Sequence, residues 1–91
     1  MGLFLPFGFE NIYENILFIL YMLQNLMFSV KDWDTQTARY WMANHGYKPI
    51  KRVDITNNFY RYRLVQPNSK YNYKTITIKK SPLIKAIFYT N

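Results

Sequence analysis

Within residues 31–91, the side chains suited to acid–base work or metal ligation are one histidine, His45, and three aspartates, Asp32, Asp34 and Asp54. Catalysis by proton transfer or nucleophilic attack needs two such groups held together, either paired carboxylates or a histidine beside a nucleophile. The spacing gives each group another task. Asp34 precedes "TQTARYWMANHG" and reads as a helix N-cap, its carboxylate accepting from the free first-turn amides, with Asp32 as a neighbour of that turn. His45 closes the same stretch, where an imidazole can satisfy helix carbonyls. Asp54 follows Lys51 and Arg52 in "KRVDIT" and is suited to pairing with a base. No His, Asp and Glu set has metal-ligand spacing, and there is no glycine-rich phosphate loop. The absence of cysteine removes thiolate sites and disulfides. The expectation is a protein that is not an enzyme, with no metal, no cofactor and no small-molecule substrate.

Charge is the second kind of chemistry available. The 91 residues carry a net +7, unevenly placed. Residues 1–30 hold Glu10 and Glu14 and no Lys or Arg; residues 31–91 hold all 12 basic residues against the three aspartates, leaving +9. Such a segment is drawn to polyanions in a salt-dependent way. The densest basic stretch is "NNFYRYRLVQP", residues 57–67. In a strand, period two places Tyr60, Tyr62 and Leu64 on one face and Phe59, Arg61, Arg63 and Val65 on the other. Arg61 and Arg63 would then lie about 7 Å apart, near the spacing of successive phosphates. Lys51, Arg52, Lys74, Lys79 and Lys80 would extend the field, and Phe59, Tyr71 or Tyr73 could stack on bases. The other reading has the tyrosines in the core and the arginine stems lying over the outer face. Both remain open, and no motif for base-specific reading is present.

The elements that must position these groups follow from pattern. Ile12, Ile16, Ile19, Leu20 and Leu23 recur at helical spacing from about Glu10 to Leu23, while Leu17, Phe18, Tyr21 and Met22 make the opposite side apolar too. Ile16, Phe18, Ile19, Leu20 and Leu23 are therefore the candidates for docking on a partner or a membrane. The uncharged run from Ile16 to Val30 falls short of the roughly 20 residues a spanning helix needs, since Asn15 and Glu14 come next upstream. Membrane contact would fall within residues 10–28. The first residues lack the bases of a secretory signal, and Pro6 stands where myristoylation wants Ser or Thr. "LMFSV", residues 26–30, suits a strand. A helix follows from about Thr35 to His45, stopped by Gly46 and Pro49, with Trp33 placed to fold onto Ala38. "IKRVDIT", "NFYRYRLV", "YKTITIKK" and "PLIKAIFYT" read as four strands. The expected architecture is α+β: an N-terminal apolar helix, then a strand, a helix and a mostly antiparallel four-strand meander. It divides into an arm, residues 1–25, and a basic module, residues 26–91.

"ARYWMANHGYKPIKRVDITNNFYRYRLVQP", residues 38–67, followed by "YKTITIKKSPLIKAIFY", carries two ordered patterns. One is Ala-x-x-Trp-aliphatic-x-x-His-Gly-aromatic; the other is Asp-x-Thr-x-Asn-aromatic-Tyr-Arg-aromatic-Arg. Together they resemble a small module encoded by tailed phages and large DNA viruses, over roughly residues 26–91. The resemblance implies a viral setting and an α+β fold, and supplies no catalytic residues. The reading that follows is a non-enzymatic viral structural or assembly protein, virion-associated and minor-capsid-like. Its arm would dock on other viral structural proteins, on a second copy or on a membrane, and its basic face would meet nucleic acid or acidic protein. It would act in the virion or the interior of the infected host cell. The alternative is a soluble nucleic-acid-binding accessory protein whose arm completes its own core.

Overall fold

The computed structural model describes residues 23–90. Strand β1 (Leu23–Ser29) leads into helix α1 (Thr35–Asn44), followed by β2 (Asp54–Ile55), β3 (Phe59–Arg63), β4 (Asn72–Lys80) and β5 (Leu83–Thr90). The expected mixture of helix and antiparallel sheet is present, but the strands do not form a meander. Their order is β2-β3-β1-β5-β4, every neighbouring pair antiparallel. β1 is inserted between β3 and β5, so β3 and β4 are not neighbours. The physical reason lies in β1 itself: all seven of its residues are buried. A strand with an apolar residue to offer on each side is best spent at the centre, where both faces are covered.

β1 also begins earlier than expected. Leu23, read as the end of an arm helix, opens the strand opposite Phe88 and is buried in the core. The pairing slips between Leu23 and Asn25, and this irregularity accommodates Gln24. The buried amides there are satisfied: Gln24 Nε2 donates to the Val65 carbonyl at 2.9 Å, and Asn25 Nδ2 donates to Gln24 Oε1. The expected apolar helix upstream of Leu23, with Ile16, Phe18, Ile19 and Leu20, lies outside the described residues.

α1 covers one face of the sheet. Ala38 and Met42, four apart, bury against Leu26, Phe28, Tyr62, Ile84 and Ala86. Phe28 is the hub, its ring edge-on to Trp33, Trp41 and Tyr62 at centroid distances of 5.1, 5.7 and 5.8 Å. Each fully buried side chain of this size is worth about 1.5–3 kcal/mol. The helix start matches its sequence signal: Asp34 accepts from the Thr37 amide at 2.7 Å, and the Asp34 amide donates to Thr37 Oγ1 at 3.1 Å. These bonds hold the Asp34 carboxyl below its ordinary pKa. Gly46, at φ +81°, provides the left-handed exit that other residues resist.

Asp32 and Trp33 do something the local pattern did not signal. Asp32 Oδ2 accepts from the Leu83 amide at 2.8 Å, and Trp33 Nε1 donates to the Leu83 carbonyl at 3.0 Å. Together they grip both polar groups of one residue 50 positions away and fix α1 to the start of β5.

Candidate polyanion-binding site

The chain leaving α1 is steered back along the sheet. The Tyr47 amide donates to the Met42 carbonyl at 2.8 Å, and the Ile50 amide donates to the Arg63 carbonyl at 2.9 Å, which lays residues 48–53 beside β3. Between this segment and the first turns of α1 opens a groove of about 560 Å³. Thr35 and Arg39 line it from the helix, Lys51 and Arg52 from the returning segment, with Tyr62 beneath. No acidic side chain lines it.

Each cation has a different neighbour. Lys51 Nζ lies 3.3 Å from Asp54 Oδ1, the one ion pair among the described residues; both side chains are well exposed, so solvent screens it heavily. Arg39 and Arg52 are exposed and make no ion pair among the described residues. The Tyr62 hydroxyl donates to the Thr35 carbonyl at 3.4 Å. Burial raises its phenol above the ordinary tyrosine value, and the Arg39 cation opposes part of that rise. Three cations around an open, acid-free groove make a local field that attracts phosphate, and two of them are guanidiniums able to grip it with paired N–H donors.

The seven bases expected to form one field are divided among three places. Lys51 and Arg52 belong to the groove. Arg61 and Arg63 stand opposite Met27 and Asn25, on the face away from α1, as period two required. They are half-buried, and the Nε atom of each is buried without a hydrogen-bond partner. Lys74 and Lys79 pair with Phe88 and Ile84 and so point to the helix side of edge strand β4, while Lys80 sits opposite Leu83 at the hairpin end. The cross-sheet distance from β3 to β4 is three strand spacings, about 14 Å.

The aromatic candidates are engaged within the fold. Tyr71 stacks on Tyr89 at 5.0 Å, and the Tyr73 hydroxyl donates to the Asn68 carbonyl at 3.0 Å. Phe59 is half-buried with Lys85 Nζ 5.9 Å from its ring centre. His45 Nδ1 donates to the Trp41 carbonyl at 2.8 Å, and its ring stacks on Trp41 at 3.8 Å. Trp33 turns to Phe28 and Leu83. Among the described residues, no three His, Asp or Glu side chains approach closely enough to hold a metal, and no helix is long and apolar enough to cross a membrane.

Known proteins offer no parallel. No protein-family model matches this chain, and neither the curated proteins nor the solved structures contain a match. The viral resemblance therefore rests on the residues quoted for it.

Arg39 is the groove residue that sequence reasoning missed. A usable signal existed: Thr35 and Arg39 are an i, i+4 pair bordering the apolar Ala38–Met42 stripe, which marks the helix edge facing the sheet rim.

Proposed function

We propose that this chain is a non-enzymatic accessory protein that binds the phosphate backbone of single-stranded nucleic acid through the groove of Arg39, Lys51 and Arg52. The observation that carries this reading is the convergence of three cations from two separate segments on one open groove without an acidic lining residue. The non-enzymatic part is supported by the occupations of the acid–base groups. His45 is bonded to its own helix, Asp34 caps it, Asp32 holds Leu83 and Asp54 faces Lys51. In the viral setting implied by the resemblance, the protein acts in the virion or the infected cell, beside other viral structural proteins. The rival reading, in which an apolar N-terminal helix docks the module on such a protein or on a membrane, draws on the split between a segment of charge −2 and one of +9.

The test is fluorescence anisotropy with a labelled single-stranded oligonucleotide across a salt series. Arg39→Ala/Arg52→Ala should weaken binding at low salt and reduce the slope of log affinity against log salt by about 1.4, some 0.7 per phosphate contact. If the wild-type protein binds with no salt dependence, or the variant matches it in affinity and slope, the proposal fails.

A further inference from the structure

The sheet face opposite α1 is built to receive something. Asn25, Met27 and Ser29 on this side of β1 are only 5%, 8% and 7% exposed, yet Met27 stands apart from the helix-side core cluster. Around them stand Arg61 and Arg63 from β3 and Lys85 and Ile87 from β5. The Nε atoms of both arginines are buried and unpartnered. A guanidinium N–H withdrawn from water without an acceptor is costly, and a carboxylate is the acceptor that best satisfies it. The acid nearest in register, Asp54 opposite Arg61, is turned to Lys51.

We propose that the occupant of this face is the chain's own residues 1–22, seated by Glu14 on Arg63 and Glu10 on Arg61. Glu10 and Glu14 are the only charged residues before Lys31, and their sign is complementary to the face. An i, i+4 pair on a helix has its side chains about 5–6 Å apart, and two residues of the same strand face are about 7 Å apart, so the two pairs match in spacing. Reach matches as well. The segment ends where β1 begins, at Leu23, and β1 lies beside β3 with Asn25 level with Arg63 and Met27 level with Arg61. A helix doubling back over β1, with two or three residues in the turn, carries Glu14 about 9 Å and Glu10 about 15 Å along the strand. Arg63 and Arg61 stand about 7 and 13 Å along it. The apolar residues between the glutamates would lie over Met27. This assigns Arg61 and Arg63 to the fold and leaves nucleic acid to the separate groove.

Because the chain has no cysteine, two introduced cysteines report without ambiguity. Full-length Glu14→Cys/Arg63→Cys is treated with oxidised glutathione, which accepts the electrons of the two thiols and is released as reduced glutathione. The expected product is an internally cross-linked monomer, at least tenfold more abundant than in Glu14→Cys/Lys79→Cys, whose second cysteine is on the other face. A covalent dimer as the main product would give the face to a second copy and overturn the proposal, as would cross-linking no greater than the control. A second readout keeps the structure-bearing arginines intact. In Glu10→Gln/Glu14→Gln, the Arg61 and Arg63 Nε–H resonances should exchange faster with water than in the wild type, and unchanged exchange overturns the pairing. Neither result depends on oligonucleotide binding. If added oligonucleotide, rather than the glutamates, slows exchange of these protons, the face belongs to nucleic acid and the proposal is wrong.

Discussion

The two faces of the sheet come from alternate residues of the same strands, and they are held by different forces. On the helix side, Leu26, Phe28, Tyr62 and Ile84 are the largest fully buried side chains together with Met42, and the rings around Phe28 meet edge to face. On the other side, Met27 and Asn25 are covered in part by the stems of Arg61, Arg63 and Lys85. Long cationic side chains can shield an apolar strand while keeping their heads toward water, but Nε sits low on the stem and is the first polar atom lost to burial. One face is therefore closed by shape, and the other by a charge arrangement that calls for an acidic counterpart. Alternation along "NFYRYRLV" is enough to produce both.

The largest effect that distinguishes the faces is on stability. Phe28→Ala should cost about 3–5 kcal/mol, because it empties a site walled by three rings with little freedom to collapse. Met27→Ala should cost about 2 kcal/mol, the low end for such a truncation, since the surrounding stems can settle into the space. Urea denaturation of both variants measures the contrast. Equal losses would mean that the second face is packed as rigidly as the first, and the comparison would break there.

A smaller effect follows from the helix cap that places Arg39 on the groove wall. The folded Asp34 carboxyl is held below its ordinary pKa by the Thr37 bonds, so its contribution is complete above the unfolded carboxyl value. It is lost as pH falls through the lower folded value. Asp34→Ala should lower the thermal midpoint at neutral pH, and the gap from wild type should close in acid below that window. A gap that persists unchanged in strong acid would show that the cap works by some means other than the ionised carboxylate.

Local features were legible in the sequence, and long-range ones were not. The Asp34 cap, the Gly46 exit, the placement of His45 at the helix end and the separation of the tyrosines from the arginines each depend on neighbours within a turn or a strand. The insertion of β1 between β3 and β5 could not be read this way. Consecutive strands suggest a meander, whereas strand order is decided by which strand can be buried on both sides. Leu23 was assigned to a helix because an uninterrupted apolar run carries no period that separates helix from buried strand. The division of the basic residues had a similar cause. Lys74 and Lys79 share the helix side of β4 although their sequence separation is odd, because the register shifts between Thr77 and Lys79. Arg39 joined Lys51 and Arg52 only through the return of the chain beside β3. Asp32 was read as a neighbour of its own turn because its partner, Leu83, lies at the far end of the sequence.

The central claim is that nucleic acid is held by the groove and not by the arginine face. The direct measurement is the salt dependence of single-stranded oligonucleotide binding for Arg39→Ala/Arg52→Ala and for Arg61→Ala/Arg63→Ala, side by side with the wild type. The account predicts that the groove variant loses about 1.4 units of slope, while the face variant keeps the wild-type slope. A face variant that loses slope while the groove variant retains it would contradict the account and return the phosphate contacts to Arg61 and Arg63.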